Sequence, residues 1–372
     1  MANYPIIYAR TKKGQLQQWQ IEVEGNKFRT TEGIVNGTLT TSAWTICEGK
    51  SLGRANETTG DVQAEKEAAS KLKKKLDSGY HENVADVDIA KFFEPMLAHK
   101  WSDYGEDMVY PFYCQPKLDG MRCITKQDGM FSRGGKPIKS APHIRAFLEP
   151  IFQEFPDLVF DGELYNHALK HNFNKIISLA KKSKPTPEDL AESAEKLEYW
   201  VYDMFDPLHP EFIFSERYAR LRLLIKNLND TGLKIRFVFT YEVENLAQLD
   251  DLYKRFLDEG FEGQMTRTDA PYENNRTKAL LKRKTFLEKE FKLKKIEAGK
   301  GNRAGLATIA YFEDERGVEF QTGVIGNNEY TAQLLKDEAN YFGKMATVVF
   351  FEYTADEKVP RFGKMKIIRD YE

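Results

Sequence analysis

The chain is 372 residues long, of which 41% are hydrophobic and 30% charged, and its formal net charge is −2. This length predicts two or three domains, and this composition is typical of a soluble globular protein. The near-zero net charge does not by itself indicate a polyanion partner. The sequence has no apolar run near the roughly 20 residues that a membrane span needs.

The cysteines and the first residues predict the compartment. Cys47, Cys114 and Cys123 form no Cys-x-x-Cys pair, and such a sparse, odd set is typical of reduced thiols in the cytoplasm. It also excludes a four-cysteine zinc module. The opening MANYPIIYARTKKGQ lacks the apolar core of a signal peptide, so we expect a cytoplasmic protein.

The first 90 residues predict a small module and a linker. Residues 4–50 alternate in short runs punctuated by glycines, which predicts a small antiparallel sheet. Residues 61–77 are rich in Ala, Glu, Lys and Leu and precede Gly79, as expected of a helix. We therefore predict a compact module over 1–82, followed by a linker.

The remainder of the chain predicts two further domains. From about residue 92, apolar strands alternate with helix-like stretches at 167–180, 215–228 and 246–260, which predicts an α+β or α/β domain over 92–287. Its polar stretch 181–196 holds two prolines and reads as a surface loop. Over 288–372 about five strands and one helix predict a small barrel of the OB type.

The chemistry of the sequence centres on one hexapeptide, Lys117-Leu118-Asp119-Gly120-Met121-Arg122. Alone, it could be a strand that enters an Asp-Gly turn. Five further segments follow it in order: Ser132-Arg133-Gly134-Gly135, Phe160-Asp161-Gly162-Glu163-Leu164, Trp200-Val201-Tyr202-Asp203, Glu262-Gly263-Gln264-Met265 and Leu281-Lys282-Arg283-Lys284.

This ordered set resembles the covalent nucleotidyltransferase superfamily and, within it, the ATP-dependent DNA ligases, from about Pro95 to Arg369. The resemblance implies an adenylation domain followed by an OB-fold barrel, in an α+β multidomain chain. It also implies a three-step reaction. Lys117 takes AMP from ATP, AMP passes to the 5′-phosphate of a nick in duplex DNA, and the 3′-hydroxyl displaces AMP. ATP and Mg²⁺ (or Mn²⁺) are the implied cofactors, nicked duplex DNA is the implied partner, and we expect a monomer.

A lysine nucleophile needs a special environment. The free amine has a pKa of about 10.4 and is a poor nucleophile when protonated. A neighbouring cation such as a bound metal, together with desolvation, favours the neutral amine. Charge on the phosphate oxygens must also be neutralised. Lys282 and Lys284 occupy alternate strand positions, which point to one face and can reach one phosphate; an edge strand kept soluble by lysine is the alternative.

The resemblance assigns the remaining site residues. Glu163 is expected at the ribose or a metal and Glu262 at the metal, since carboxylate oxygens suit Mg²⁺. Arg122 and Arg133 are expected at the ribose or a phosphate, because the arginine fork bonds phosphate in a bidentate manner. Gln115 and Pro116 precede the nucleophile and are expected to contact the nucleotide. Tyr202 is the expected adenine-stacking aromatic.

Several features depart from the family pattern or stay open. The residue two before the nucleophile is usually glutamate; here it is Gln115, whose amide oxygen can still accept a bond from the adenine amino group. Phe205 competes with Tyr202 as the stacking aromatic. The final motif is usually R-x-D-K, but the chain ends Ile368-Arg369-Asp370-Tyr371-Glu372, so its expected role toward pyrophosphate is doubtful. Arg361 and Lys364 match the stretch just before it.

Three other features carry weaker expectations. His167 and His171 have the spacing of a zinc pair, but no third ligand is evident, and a helix facing solvent or DNA is favoured. Residues 50–59, with the following helix, resemble WGR-like domains, some of which contact DNA; Leu52 stands in place of the tryptophan. Between residues 278 and 303, ten Lys/Arg face three Asp/Glu, a local excess of +7, which could bind DNA phosphates or merely be solvated.

Alternative functions remain open from the sequence. An RNA ligase and an RNA-capping guanylyltransferase share the lysine motif, and a non-catalytic DNA-binding protein could be built on the same scaffold. The complete set of Lys117, Glu163, Glu262, Lys282 and Lys284 argues against mere binding. Use of NAD is disfavoured because NAD-using relatives carry a cysteine zinc module. The size and the N-terminal module suggest a phage or viral enzyme that acts in the host cytoplasm.

Overall fold

A computed structural model describes residues 2–11, 13–89, 92–170, 172–226, 234–354 and 356–369. The chain folds into two compact units, one formed by Met1–Lys91 with Phe286–Glu372 and the other by Phe92–Thr285. Within the ranges just given, no helix combines the length and the apolar character that crossing a membrane would require.

The N-terminal part of the first unit is an antiparallel sheet with one long helix, as predicted. Its elements are β1 Ala2–Asn3, β2 Ile7–Arg10, β3 Leu16–Glu24, β4 Lys27–Ile34, β5 Leu39–Thr41, β6 Thr45–Ile46 and α1 Gly60–Asp77. The strands run in the order β1-β3-β4-β5, with β2 paired to β3 and β6 to β4. Alternate residues of β3, Trp19, Ile21 and Val23, are buried with Ala64 and Ala68 of α1, since successive strand residues face opposite sides.

The second unit carries most of the sequence motifs. Its strands are β7 Leu97–Lys100, β8 Phe112–Lys117, β9 Met121–Lys126, β10 Gly129–Ser132, β11 Val159–Tyr165, β12 Glu198–Phe205, β13 Ile235–Phe237, β14 Tyr241–Val243, β15 Gly263–Arg267 and β16 Arg276–Arg283. Its α-helices are α2 Trp101–Tyr104, α3 Pro142–Glu154, α4 Phe173–Ala180, α5 Pro187–Lys196, α6 Phe214–Lys226 and α7 Leu246–Asp258.

Two mixed sheets organise this unit. One has the order β10-β9-β11-β12-β13 and the other β14-β8-β15-β16-β7. Most neighbouring strands are antiparallel, whereas β12 with β13 and β16 with β7 are parallel. The first sheet is covered by apolar residues of α3, α4 and α6, including Leu148, Ile176 and Leu221. The motif-bearing strands therefore rest on a large core, which fixes the side chains that they present.

Two predicted elements need correction. Residues 181–196 are not all loop, because α5 occupies their second half. Thr186 and Asp189 form a reciprocal capping box, and Pro187 stands at the first helical position, where its missing N–H costs nothing. The helix predicted over 167–180 is divided into the 3₁₀ turn His167–Leu169 and α4, and Asn172 caps the start of α4.

The C-terminal part of the first unit is a closed barrel. Its elements are β17 Leu287–Ala298, β18 Ala307–Glu313, β19 Glu319–Val324, α8 Asn328–Lys336, β20 Met345–Phe350, β21 Glu352–Tyr353, β22 Pro360–Arg361 and β23 Lys364–Ile368. The barrel order is β17-β18-β19-β23-β20, and β21 pairs with β22. Further 3₁₀ turns lie at Val84–Asp86, Gly105–Asp107, Gly301–Arg303 and Glu338–Asn340. The predicted small barrel with one helix is thus confirmed.

Candidate active site

The candidate nucleophile lies at the end of a strand, opposite a glycine. Lys117 is the last residue of β8 and pairs across the sheet with Gly263, the first residue of β15. A Cβ at Gly263 would lie 2.2 Å from the Arg283 carbonyl oxygen, and the backbone φ of Gly263 is +154°. For both reasons, only glycine fits at this position. This close packing brings Glu262 to Lys117, and the Glu262 N–H donates to the Lys117 carbonyl oxygen at 2.9 Å.

Lys117, Glu262 and Lys284 form one ion-paired group, here called the amine cluster. The ammonium of Lys117 contacts one carboxylate oxygen of Glu262, and Lys284 Nζ donates to the other at 2.9 Å. Burial opposes ionisation of Glu262, but the two ammonium groups outweigh it and hold the pKa of Glu262 below its ordinary value. The carboxylate of Glu262 is therefore ionised and bound by two lysines that the sequence placed far apart.

A second wall of the site is built by β9 and β11. Arg122 and Glu163 are paired across these strands. A Cβ at Gly120 would lie 2.3 Å from the Leu164 carbonyl oxygen, which explains the glycine of the lysine motif. Arg122 forms a bidentate ion pair with the buried Asp161, and Tyr272 donates its hydroxyl to the same carboxylate at 2.7 Å.

Glu163 has few compensating partners. The Tyr202 hydroxyl lies 3.4 Å from its Oε2, a long hydrogen bond. Burial raises the pKa of Glu163 to about 8, and the nearby positive charges of Lys117 and Arg122 only partly offset this effect. A carboxylate in this position gains much from a cation or a hydrogen-bond donor that enters the site.

The two walls enclose a cavity of about 210 Å³. It is lined by eight of the ten residues predicted for the site, namely Gln115, Pro116, Lys117, Arg122, Arg133, Glu163, Tyr202 and Lys282. The other two, Glu262 and Lys284, are bonded to Lys117 or to each other. Residues from six separate stretches of the sequence therefore converge on one cleft.

The cavity also has lining residues that the motifs did not predict. Arg267 is the last residue of β15, three positions after the Glu-Gly-Gln stretch, and Arg276 begins β16. Partial burial is the largest cause that lowers the pKa of Lys282, and the positive charges of Lys117 and Arg276 lower it further. Six Lys and Arg side chains line the cavity beside one carboxyl group, and three of the six are paired with Glu262, Asp161 or Asp203. This cationic lining suits a polyphosphate.

Five polar side chains in and near the cavity are almost completely withdrawn from solvent. Gln115, Asp161, Asp203, Arg217 and Arg267 are each at most 4% exposed, and we call them the buried layer. Asp203 accepts from Arg217 Nε at 2.9 Å and from Arg267 at 2.6 Å. Burial raises the pKa of Asp203, but the two guanidinium groups outweigh it and hold this pKa below its ordinary value.

The two aromatic candidates occupy different surroundings. Tyr202 lines the cavity, and Arg122 and Arg267 lie 5.8 and 5.7 Å from the centre of its ring. Phe205 instead packs against Phe93 and Tyr272, with both ring centroids 5.5 Å away. Of the two, Tyr202 lines the cavity and Phe205 does not.

Other predicted residues lie elsewhere or outside the described chain. Arg361 pairs with Glu352, and Arg369 donates to Thr347 at 2.8 Å, both within the first compact unit. Lys364 begins β23 in that same unit. His167 contacts the ring of Phe261, with centroids 4.5 Å apart, whereas His171 and residues 370–372 lie outside the described residues.

The predicted basic segment 278–303 is partly neutralised. On β17, Lys294 pairs with Glu313 and Lys289 with Glu315 at 3.3 Å, and Lys295 lies 3.9 Å from Glu297. Three of its lysines thus have acidic neighbours within the barrel, which reduces the local excess of charge.

Comparison with known proteins places this geometry in a family. The model of the ATP-dependent DNA ligase domain matches residues 95–284, just over half of the chain, and the chain therefore belongs to the ATP-dependent DNA ligase domain family. The chain has the nucleotidyltransferase-type ligase fold, with mixed α/β content and a closed five-stranded barrel in its C-terminal region.

Individual relatives agree with this assignment. A DNA ligase of African swine fever virus is 29% identical over 296 residues, 74% of this chain. The match covers 64% of the viral protein, less than two thirds of its length. A DNA ligase of Haemophilus influenzae is 26% identical over 234 residues, covering 61% of this chain and 76% of that protein. A Lig E DNA ligase has a similar fold, with a TM-score of 0.60 at 23% identity over 76% of this chain and 100% of its own.

Proposed function

We propose that the protein is an ATP-dependent DNA ligase that seals nicks between a 5′-phosphate and a 3′-hydroxyl in duplex DNA through a Lys117–AMP intermediate. The observation that carries this proposal is the position of Lys117 at a cationic cavity, in contact with Glu262 and beside Arg122, Glu163 and Lys282. Binding of a nucleotide alone does not require a lysine amine that is ion-paired at the edge of the cleft, whereas nucleophilic catalysis does require an amine there.

The first step follows from the contacts of Lys117. Its ammonium must first lose a proton to solvent, and a cation held by Glu262, which contacts Nζ, would favour the neutral amine. The neutral amine attacks the α-phosphorus of ATP, so that an N–P bond forms, the bond to the bridging oxygen breaks, and pyrophosphate leaves. Lys282 and Lys284 neutralise charge on the phosphates, while Arg122 and Arg133 hold the ribose or a phosphate.

Pro116 and Tyr202 would contact the base, with the Tyr202 ring stacked on adenine. Gln115, at the bottom of the same cavity, would accept a bond from the adenine amino group.

Glu163 and Glu262 would hold the metal, Mg²⁺ or Mn²⁺. Two carboxylates are the hard oxygen donors that Mg²⁺ prefers, and Mg²⁺ usually binds one or two carboxylates plus substrate phosphates. The raised pKa of Glu163, about 8, fits a carboxylate that awaits a cation. In the described residues, His, Cys, Asp and Glu do not gather in groups of three that could hold a metal, so the remaining ligands would come from phosphate and water. When bound, the metal neutralises phosphate charge.

The second and third steps use DNA. AMP passes from Lys117 to the 5′-phosphate of the nick, and attack by the 3′-hydroxyl then expels AMP and joins the strand. DNA phosphates would be met by the basic segment 278–303. We assign domains over 1–82, 92–287 and 288–372, the last an OB-fold, because its strand order and single helix match that barrel type.

Further parts of the proposal concern context. The N-terminal module would be a WGR-like domain that contacts DNA, and the protein would act as a monomer in the cytoplasm of a bacterium or a phage-infected host. A metal role for His167 and His171 is not proposed. An RNA ligase or an RNA-capping guanylyltransferase is the second candidate class, and no contact in the cavity favours it over the ligase.

Labelling with α-³²P-ATP and Mg²⁺ tests the proposal. Wild type should acquire acid-stable label, and Lys117→Arg should reduce it by at least about a thousandfold, because a guanidinium cannot act as the nucleophile. Lys126→Arg is the matched control, since Lys126 pairs with Asp128 on an exposed strand end and should label normally. Label that persists in Lys117→Arg contradicts the mechanism, and joining of RNA ends but not of nicked DNA would favour the alternative.

A further inference from the structure

The side-chain amide of Gln115 is fixed by three hydrogen bonds. Its nitrogen donates to the Tyr202 carbonyl oxygen at 3.1 Å and to Thr240 Oγ1 at 2.8 Å. Its oxygen accepts from Arg267 Nε at 2.9 Å. Because an arginine N–H can only donate, the oxygen of the amide must be the end that lies against Arg267.

This arrangement decides what Gln115 offers to a ligand. Both N–H groups of the amide are already used, whereas the oxygen has a second lone pair. Gln115 lines the cavity and is 1% exposed. The side chain therefore presents acceptor capacity, and not a donor, to whatever occupies the cleft.

Arg267 is itself held from behind. Its guanidinium donates to Asp203 at 2.6 Å, and Asp203, which is 0% exposed, also binds Arg217 at 2.9 and 3.1 Å. This cluster has two arginines for one aspartate, a net charge of +1 (2 − 1). A glutamate at position 115 would balance that charge, whereas Gln115 leaves it in place. Because Gln115 is neutral, Arg267 does not neutralise a charge at position 115. What Arg267 does there is to orient the amide.

We propose that Arg267 is the positioning residue that makes the cavity select adenine, because it fixes the oxygen of Gln115 toward the 6-amino group of the base. A glutamine amide has a donor end and an acceptor end of almost the same shape. Turned over, it would donate to the 6-oxo group of hypoxanthine or guanine. A glutamate has two acceptor oxygens and needs no such orientation. The inference rests on the proposed function, which supplies ATP as the ligand.

The test compares ATP with ITP, whose base carries an oxo group in place of the amino group. The rate of Lys117 nucleotidylation at subsaturating nucleotide gives kcat/KM for each. Wild type should prefer ATP by about ten- to a hundredfold. Arg267→Met should reduce this preference at least about fivefold, chiefly through better use of ITP, since the oxygen end of the amide then loses its only donor among these three bonds and the bonds to Tyr202 and Thr240 alone orient it. Asp203 keeps its bidentate partner Arg217 in this variant, so the buried pair stays matched.

Two further variants separate orientation from general damage. Adding Gln115→Glu to Arg267→Met should restore the ATP preference, because either end of a carboxylate accepts. Arg220→Met removes an arginine–aspartate pair with Asp206 in the same unit, outside the cavity lining, and should leave the preference at the wild-type value. Thermal unfolding of each variant reports on folding separately.

The outcomes are distinct. An unchanged ATP preference in Arg267→Met, or no restoration in the double variant, overturns the role of Arg267. If Arg267→Met unfolds, Arg267→Gln decides, because its neutral amide can donate to or accept from either end of Gln115: a reduced ATP preference supports the inference, and an unchanged preference overturns it. Wild type that forms no adduct with either nucleotide would instead overturn the proposed function.

Discussion

The buried layer and the amine cluster use the same kinds of residue in opposite ways. In the buried layer, carboxylate, guanidinium and amide groups are at most 4% exposed. Gln115, Arg267, Asp203 and Arg217 are hydrogen-bonded in series, and Asp161 binds Arg122 and Tyr272. In the amine cluster, the Lys117 and Lys284 side chains remain 21% and 23% exposed around Glu262. The first arrangement holds groups still, whereas the second keeps them accessible to a substrate and able to exchange partners.

Fixed geometry and reactivity therefore belong to different residues of this site. Breaking a buried pair leaves an uncompensated charge and costs about 3–5 kcal/mol. Ion pairs that reach solvent contribute far less. The buried layer is therefore suited to recognising the base, and the amine cluster to chemistry in which Lys117 must leave Glu262 and attack phosphorus.

The largest expected effect comes from breaking the buried layer at Asp161. Asp161→Asn removes the charge that holds Arg122 and weakens the bond from Tyr272. We expect a loss of about 2–4 kcal/mol in the free energy of unfolding. Lys117–AMP formation should also fall about a hundredfold, because Arg122 is no longer fixed. Denaturant titration and adduct labelling measure the two effects.

A matched aspartate gives the control for that prediction. Asp128→Asn breaks an exposed pair with Lys126 at 3.2 Å and should cost less than about 1 kcal/mol without an effect on labelling. Equal losses in the two variants would mean that burial does not distinguish the two regions.

Tyr202 and Phe205 should respond differently to substitution. Tyr202→Leu should raise the KM for ATP about tenfold through lost stacking. Phe205→Leu should leave this KM near the wild-type value and lower stability by about 1–2 kcal/mol, since its ring packs between Phe93 and Tyr272. Initial rates of adduct formation against ATP concentration decide, and a raised KM in Phe205→Leu alone would reverse the assignment.

A pH-dependent effect is expected at Glu163, which belongs to neither region. Its pKa in the folded protein is raised to about 8 from 4.5, so the folded state binds the extra proton more tightly than the unfolded state does. The stability tied to this proton is full below about pH 4.5 and is lost as pH rises through about 8.

Glu163→Gln removes this dependence and should stabilise the protein at pH 8.5 by about 1–3 kcal/mol, while adduct formation falls. The measurement is the difference in unfolding free energy between variant and wild type across pH 5–9. A difference that does not grow with pH would show that Glu163 is ionised throughout in the folded protein.

The sequence could predict the residues whose motifs demand a chemical type at a fixed spacing. Lys117, Glu163, Glu262 and Lys282 all reach the site, because strand pairing joins their motifs. The sequence could not predict which residues hold these side chains in place. Asp161 lies within a motif, and Arg267 lies three positions past Gln264, but their roles depend on partners from distant strands and loops, including Tyr272 and Gln115.

The same limit applies to secondary structure. Apolar periodicity predicted α6 and α7 well, since their buried faces repeat along the helix. Proline and charge dominate the composition of α5, and such a composition favours a loop. Its capping box, Thr186 with Asp189, was the available signal.

The fate of the label on Lys117 distinguishes a ligase from a protein that only binds nucleotide. Wild-type protein is labelled with α-³²P-ATP, freed of nucleotide, and mixed with nicked duplex DNA and Mg²⁺ in the absence of ATP. We predict that the label leaves Lys117, passes to the 5′-phosphate of the DNA and appears as free AMP. One strand should be joined for each label that the protein loses. Label that stays on the protein, or joined strands without loss of label, would contradict it.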